Sequence, residues 1–320
     1  MTWLITGGAG YIGSHVVKSM TEAGEPVVVV DDLSSGDPRR LPPQVPLERG
    51  SVLDRAFLDR VLREHAVEGI VHLAAKKAVG ESVEKPLLYY RENVTGLQIL
   101  LDAAVSAGVR SFLFSSSASV YGTPPTELVT EDTPLAPLSP YGETKTAGEW
   151  MVRATGRAHG LATACLRYFN VAGTAEPALA DTGVFNLIPM VFERLDAGLP
   201  PLIFGDDYPT PDGTCVRDYI HVADVADAHL AVARRLSSGA GDLVYNVGRG
   251  EGVSVREMIH LIGEITGHGI PPQITDRRPG DPPKVVATAD RLMTDLPWKP
   301  HHDVPSMITS AWQARKATQR

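Results

Sequence analysis

Tyr141 and Lys145 lie four residues apart in the run Ser139-Pro140-Tyr141-Gly142-Glu143-Thr144-Lys145. Pro140 suits the first turn of a helix, and the residues after it continue with amphipathic spacing to about His159. On such a helix the phenol and the ammonium share one face. A nearby ammonium stabilises a phenolate, which predicts a lowered tyrosine pKa and a general base. The same spacing also describes an ordinary pair on a solvated helix face, so its meaning depends on what the rest of the chain places beside it.

A second chemical stretch stands at the start. Thr2–Thr6 is a short apolar strand, followed at once by Gly7-Gly8-Ala9-Gly10-Tyr11-Ile12-Gly13 and a helix from about Tyr11 to Ala23. The apolar run Val27–Val30 then reads as a parallel strand buried on both faces, closed by Asp31, 18 residues beyond Gly13. Strand, glycine turn, helix, strand and acid in that order form the dinucleotide fingerprint. The glycines allow backbone N–H groups and the helix N-terminus to meet a pyrophosphate. Asp31 can accept hydrogen bonds from a ribose diol and repels a 2′-phosphate, so NAD is expected over NADP. Arg39 and Arg40 are the only counter-signal.

These residues need a scaffold, and the alternation supplies one. A helix is expected over Asp54–Glu64, a strand over Gly69–Leu73, a helix over Asn93–Ala107, a strand over Ser111–Phe114 and, after the Tyr141 helix, a strand over Ala162–Tyr168. This pattern predicts an α/β fold with a doubly wound parallel sheet, whose ligands sit beyond the carboxyl ends of the strands. Lys77, Asn93, Ser117 and the start of the Tyr141 helix can all reach that edge. After Asn170 the alternation fades into a smaller α/β cap, with a helix opening at Asn186, a strand over Val216–His221 and a helix from Val222 to Arg235. The expected division is a nucleotide-binding domain over 1–170 and a substrate-binding cap over 171–320, with segments near 209–247 returning to the first domain. His72 reads as a satisfied core histidine. Asp224, Asp227 and His229 read as a solvated helix face and His301-His302 as an isolated pair, so no metal site is expected.

The 320 residues suffice for a large buried core, and 43% hydrophobic with 21% charged residues is ordinary for a globular enzyme. A net charge of −8 argues against a general nucleic-acid or anionic-membrane surface. Two cysteines, Cys165 and Cys215, give neither a disulfide framework nor a zinc pattern. With no charged leader, apolar signal region or membrane-length apolar run, the expected location is cytoplasmic.

With the Gly7–Gly13 turn, Asp31, Ser117, Tyr141 and Lys145 together, the chain resembles the extended short-chain dehydrogenase/reductase superfamily. Lys77–Ser82, Lys85-Pro86-Leu87, Ser115–Gly122, Arg167-Tyr168-Phe169-Asn170 and Asp206–Val222 narrow this to a resemblance to the UDP-galactose 4-epimerases across nearly the whole chain. The resemblance implies a Rossmann sheet, tightly held NAD and hydride transfer through a 4-keto sugar. It also implies Tyr141 as base, Lys145 on the nicotinamide ribose and Ser117 on the reacting oxygen. The implied cofactor contacts are Gly7, Gly10, Tyr11, Ile12, Gly13, Asp31, Asp32, Leu33, Ser35, Gly36, Ser51, Val52, Leu73, Ala74, Ala75, Lys77, Asn93, Ser115, Tyr168 and Phe169, with Tyr141 and Lys145. The implied substrate contacts are Lys77, Ser117, Tyr141, Asn170, Asn186, Leu187, Leu202, Phe204, Arg217, Tyr219, Arg278, Asp281 and Val285. Guanidinium groups pair bidentately with phosphate oxygens, so Arg217 and Arg278 let an acidic protein bind a dianionic UDP sugar. A homodimer is expected from the 93–107 and 141–159 helices, with Leu97, Leu100 and Leu101 facing a partner.

Three departures qualify the resemblance. Ser51 stands where the family usually has an Asp that holds adenine, with Asp54 a possible substitute. The Gly173–Phe185 connection is short, and Val285 replaces a bulky aromatic. Rival readings are an epimerase of UDP-uronic acids or pentoses, a reductase using free coenzyme, and a non-catalytic NAD sensor. A 4,6-dehydratase would need an Asp-Glu pair where this chain has Ala118-Ser119.

Overall fold

The computed structural model describes residues 1–126, 128–184, 186–239, 241–278 and 281–318. Strands β1 (Thr2–Thr6), β2 (Val27–Asp31), β3 (Leu47–Arg49), β4 (Val67–His72), β5 (Ser111–Ser117) and β6 (Ala162–Tyr168) begin the chain. Strands β7 (Asn170–Ala172), β8 (Leu202–Phe204), β9 (Val216–His221), β10 (Leu243–Val247), β11 (Gly252–Ser254), β12 (Gln273–Thr275) and β13 (Lys284–Val285) complete it. Among the described residues a seven-stranded sheet runs β10-β6-β5-β4-β1-β2-β3, with every pair parallel.

Helices α1 (Tyr11–Glu22), α2 (Arg55–Glu64), α3 (Val79–Glu84), α4 (Pro86–Tyr89), α5 (Gly96–Ala107) and α6 (Pro140–His159) belong to the first half of the chain. They are followed by α7 (Leu187–Asp196), α8 (Val222–Ser237), α9 (Val255–Thr266), α10 (Asp290–Asp295) and α11 (Val304–Thr318). Successive strand residues face opposite ways, which divides the sheet's core in two. Ile5, Val29, Val71, Leu113 and Leu166 pack with Val225, Val232 and other residues of α8 and α1. Leu4, Val28, Ile70 and Phe112 pack on the other face with Leu58 and Val61 of α2 and with α5. The chain is thus the expected doubly wound Rossmann sheet covered on both faces.

The cap has its own core, in which Ile188, Phe192, Tyr219, Met258, Ile262 and Trp312 meet. Its strands are β11-β9-β13 with β7 on β9, and a separate parallel pair β8–β12. After β9 the chain returns through α8, which packs on α1, to β10 at the edge of the large sheet.

Several expectations need correction. Leu97, Leu100 and Leu101 are 0%, 0% and 3% exposed, buried against their own sheet rather than turned toward a partner. Asp224 and His229 are buried, so their side of α8 is not solvated. Asp224 instead accepts from His302 Nδ1 (2.8 Å), and His302 stacks on His221, so the 301–302 pair is not isolated. Among the described residues no cluster of His, Cys, Asp and Glu could hold a metal, and no helix is long and apolar enough to cross a membrane. The helix expected from Asn93 begins its α-turns at Gly96, after a wider π-type stretch over Tyr90–Thr95. Strand β3 had no sequence signal, because three residues reading Leu-Glu-Arg at a sheet edge carry no apolar run. His72 is a satisfied core residue as expected, its Nδ1 2.7 Å from Thr6 Oγ1.

Candidate active site

The glycine turn shows most directly what it can hold. Gly7 has φ +72°, and a Cβ there would lie 2.7 Å from Ala74 N. A Cβ on Gly13 would lie 2.1 Å from Gly7 O, so α1 can start this close to β1 only without a side chain. The turn therefore packs bare backbone against the Leu73-Ala74 segment at the strand ends, beside the N-terminus of α1, the setting in which backbone N–H groups can meet a pyrophosphate. Asp31 stands beside it. Its Oδ2 accepts from Ala9 N (3.0 Å) and its Oδ1 from Leu33 N (2.9 Å), and burial pushes its pKa up. Those bonds hold Leu33 at φ +60°, a strained conformation for a branched side chain, in the Asp32–Gly36 loop. Asp32 Oδ1 accepts from Ser34 N (2.8 Å), followed by Ser35 and Gly36, where a Cβ would crowd Asp31 at 2.8 Å.

The arginines that could have recruited a 2′-phosphate are engaged elsewhere. Arg39 pairs with Asp37 (2.6 Å), and Arg40 donates to Ala180 O (2.7 Å) in the cap. Ser51 Oγ accepts from Leu53 N (3.1 Å), beside buried Val52. Asp54 caps α2 by accepting from Phe57 N (3.0 Å), which occupies one of the oxygens that could substitute for the missing aspartate.

At the other end of this edge, Ser139 caps α6 by accepting from Gly142 N (3.2 Å), with Pro140 in the first turn. A Cβ on Gly142 would lie 2.6 Å from Ser119 O, so glycine lets the helix start press against the segment after β5. That approach brings Tyr141 near Ser117, whose hydroxyl acts to lower the phenol's pKa while donating to Ser119 Oγ (3.2 Å). Burial has the larger, opposite effect, so the Tyr141 pKa is raised. The depression expected from the Lys145 spacing is therefore absent from the chain alone. Lys145 Nζ lies 5.9 Å from the Tyr141 ring centroid, donates to Ser115 O (2.8 Å), and sits 5.1 Å from the Phe114 ring centroid. Burial lowers its pKa to about 8, with Glu149 pulling the other way.

The remaining implied cofactor contacts divide by role. Asn93 Oδ1 accepts from Lys76 N (2.8 Å), and its amide donates to Lys76 O and Thr144 Oγ1. It thereby ties the loop after β4 to α6, while Lys77 next door is exposed. Tyr168 and Phe169 are buried at the end of β6. His229 Nδ1 must donate to Val225 O (2.8 Å), which leaves Nε2 to accept from the Tyr168 hydroxyl (2.5 Å).

The cap encloses a cavity of about 470 Å³ that reaches Tyr11 at the glycine turn. Asn170, Asn186, Leu187, Leu202, Phe204, Arg217, Tyr219, Arg278 and Asp281 all line it. Arg217 and Asp281 form an ion pair (2.6 Å), and the Arg278 guanidinium lies 3.8 Å from the Phe204 ring centroid. Asn186 donates to Asp181 Oδ2 (3.1 Å) at the start of α7. Ser117, Tyr141 and Lys77 are not in its lining, and neither is Val285, which pairs with Arg217 in β9 and is buried among Val120, Tyr121, Phe169 and Ala287. Phe185, the far end of the short Gly173 connection, lies outside the described residues. Tyr11 lines the cavity as well, donating to Gly173 O (2.6 Å), so one residue joins the glycine turn to the cap.

Sequence reasoning overlooked a buried cluster behind this site, in which Glu149 binds Arg167 (2.6 and 2.8 Å) and Ser116 (2.5 Å). An arginine inside the apolar strand Ala162–Tyr168 was the available signal.

Residues 3–248 match the family model described as the NAD dependent epimerase/dehydratase family. The chain is 49% identical over 305 residues to a UDP-glucose 4-epimerase of Azospirillum brasilense, covering 94% of this chain and 87% of that one. Its fold is similar to the UDP-glucose 4-epimerase of Bifidobacterium longum in complex with NAD+ and UDP, with a TM-score of 0.94, 37% identity, and coverage of 100% and 99% of the two chains. It is also similar to the UDP-Glc/GlcNAc 4-epimerase of Campylobacter jejuni, with a TM-score of 0.88, 34% identity, and 99% of each chain covered. A glycine cradle fit for a pyrophosphate, an acid at the end of β2 and a Ser-Tyr-Lys set at the same strand edge agree with that match: the chain belongs to the NAD-dependent epimerase/dehydratase family.

Proposed function

We propose that the protein is a UDP-sugar 4-epimerase that interconverts UDP-glucose and UDP-galactose. The observation that carries this reading is the meeting of Ser117, Tyr141, buried Lys145 and the Gly7–Gly13 cradle at one strand edge, with a cavity nearby whose lining includes Arg217 and Arg278. Residues 1–170, with Val222–Val247 returning to the same sheet, act as the nucleotide-binding domain, and the rest of 171–320 as the substrate cap. Gly7–Gly13 would hold the NAD pyrophosphate, Asp31 a ribose diol, and Lys145 the nicotinamide ribose. When bound, NAD would supply the acceptor and later the donor of the sugar C4 hydride, and in its oxidised form a positive charge.

The chain's own residues do the rest. Arg217 exchanges Asp281 for phosphate oxygens, and Arg278 with Asn170 and Asn186 completes the grip on UDP. Lys145, together with the cofactor's charge, offsets the burial that raises the Tyr141 pKa, so the phenolate can form. Tyr141 takes the C4 hydroxyl proton while Ser117 hydrogen-bonds the same oxygen. With the diphosphate held, the 4-keto sugar turns its other face to the site. Tyr141 then gives the proton back to the C4 oxygen, so the cycle closes with no net proton or redox change.

Assaying NAD released by denaturation and following a panel of UDP sugars by NMR tests this reading. Near-stoichiometric NAD and hexose interconversion without added coenzyme are expected. Empty protein that needs NADPH would instead indicate a reductase, and bound NAD without turnover a sensor.

The N-acetylhexosamine pair is included in this proposal because the smaller Val285 stands where the family this chain resembles carries a bulky aromatic, although here it packs among Val120, Tyr121, Phe169 and Ala287 outside the cavity lining. Val285→Tyr is expected to abolish UDP-GlcNAc turnover while sparing much of the hexose reaction, since added bulk excludes the larger substrate. An equal loss of both activities, or no N-acetylhexosamine turnover by the unaltered protein, contradicts this.

We propose a homodimer through the outer faces of α5 and α6, where Trp150 is 63% exposed and Ile99 and Met151 are only partly buried, rather than through the buried leucines. Light scattering should give twice the chain mass, and Trp150→Glu should give a monomer. A monomeric unaltered protein at micromolar concentration contradicts the dimer.

A further inference from the structure

Ser117 and Lys145 of the reacting set, and the implied cofactor contact Tyr168, each have a neighbour in the buried polar cluster. Ser116 precedes Ser117, Glu149 follows Lys145 by one helical turn, and Arg167 precedes Tyr168. Ser116, Glu149 and Arg167 are 1%, 1% and 3% exposed. Glu149 Oε1 accepts from Ser116 Oγ (2.5 Å) and Arg167 Nε (2.8 Å), and Oε2 accepts from Arg167 Nη2 (2.6 Å). The free end of Arg167 donates to the Tyr121 hydroxyl (2.8 Å) and to Glu131 O (2.9 Å). A carboxylate so bound is fixed in place, although burying the ion pair is costly to stability.

We propose that Glu149 is a positioning residue for the reaction, holding the Lys145 ammonium charged and in place through this cluster. The inference rests on the reading of Tyr141 as base. Lys145 is 3% exposed, and its ammonium makes its hydrogen bond to a neutral carbonyl, Ser115 O, at 2.8 Å. Around it, β4 presents His72, which burial keeps neutral. β6 presents Tyr168, whose pKa burial raises, and cationic Arg167. Helix α6 presents Tyr141, and α4 presents Tyr89, which burial also raises, to about 12. Those groups are neutral or positive at neutral pH, and bound nicotinamide would add a further positive charge. Glu81 of α3, its side chain 36% exposed, is engaged by Tyr89 (3.0 Å) and Lys85 (3.2 Å), whereas buried Glu149 is a negative charge that acts on Lys145 against burial. If Lys145 loses its proton, Tyr141 loses the cation that favours its phenolate.

The sign of the charge separates this role from simple bracing. Glu149→Gln and Arg167→Gln break the same ion pair, but only the first removes the negative charge. Each variant would be compared with the unaltered protein by Tm, bound NAD, the pH dependence of kcat, and the tyrosinate absorbance that disappears on adding Tyr141→Phe. In Glu149→Gln the acid limb of kcat and the tyrosinate midpoint should both move up by about one pH unit. Turnover at neutral pH should fall about tenfold and recover at higher pH. In Arg167→Gln they should stay or move down, and Glu149→Asp should stay near the unaltered protein. If Glu149→Gln does not fold, Glu149→Gln/Arg167→Gln removes both buried charges and should still shift the midpoint upward. Midpoints that stay fixed while Tm falls, or that move the same way in both single variants, would overturn the proposal. Undiminished turnover in Tyr141→Phe alone would instead remove the base assignment beneath it.

Discussion

Tyr141→Phe should lower epimerase turnover by about 10²–10⁴-fold, the usual worth of a positioned acid–base group, while leaving NAD bound. The substitution removes one oxygen from a ring whose placement depends on other contacts. Ser139 still caps α6, Gly142 still abuts Ser119, and Lys145 still donates to Ser115 O. The change therefore reports on proton transfer rather than on folding, and KM for the UDP sugar should move much less than kcat. Stopped-assay turnover together with NAD released on denaturation is the measurement. Turnover near that of the unaltered protein would remove Tyr141 from the reaction.

Gly13→Ala should yield protein that retains little or no NAD and is correspondingly inactive. A methyl group at this position would stand 2.1 Å from Gly7 O and 2.8 Å from Gly8 Cα, both backbone atoms that cannot swing aside. The start of α1 would have to retreat from the turn, spreading the N–H groups meant for the pyrophosphate. The cap should still fold, because its core around Phe192, Met258 and Trp312 lies apart from the turn. Absorbance of the released nucleotide measures the loss, and a full complement of NAD would show that the cradle is not where the cofactor sits.

Much of this was legible in the sequence where a residue's role depends on its own local structure. The glycine turn, Asp31 and the Pro140 helix start each bring a local rule of backbone geometry or capping, and each stands where that rule places it. Elements whose faces are decided by tertiary packing were harder to read. Leu97, Leu100 and Leu101 repeat at a spacing that serves either a partner or the chain's own sheet, and only the packing against Phe112 and Leu4 decides. Asp224 and His229 look solvated because charged and polar side chains usually are. Here their partners, His302 and Tyr168, come from distant parts of the chain. The Tyr141 pKa failed for a related reason: i,i+4 spacing predicts the lysine's pull but not the burial that outweighs it. Glu149 and Arg167 were overlooked because a buried ion pair has no periodic signature, and its members are 18 residues apart.

The central claim is that hydride leaves and returns to sugar C4 within one protein molecule while Tyr141 carries the proton. It is tested most directly by incubating purified protein, with no added coenzyme, with UDP-galactose deuterated at C4 in ordinary water. The account predicts UDP-glucose that keeps deuterium at C4 throughout the approach to equilibrium, and no such conversion by Tyr141→Phe on the same timescale. Loss of the deuterium to solvent, or conversion that appears only when free coenzyme is supplied, would contradict it.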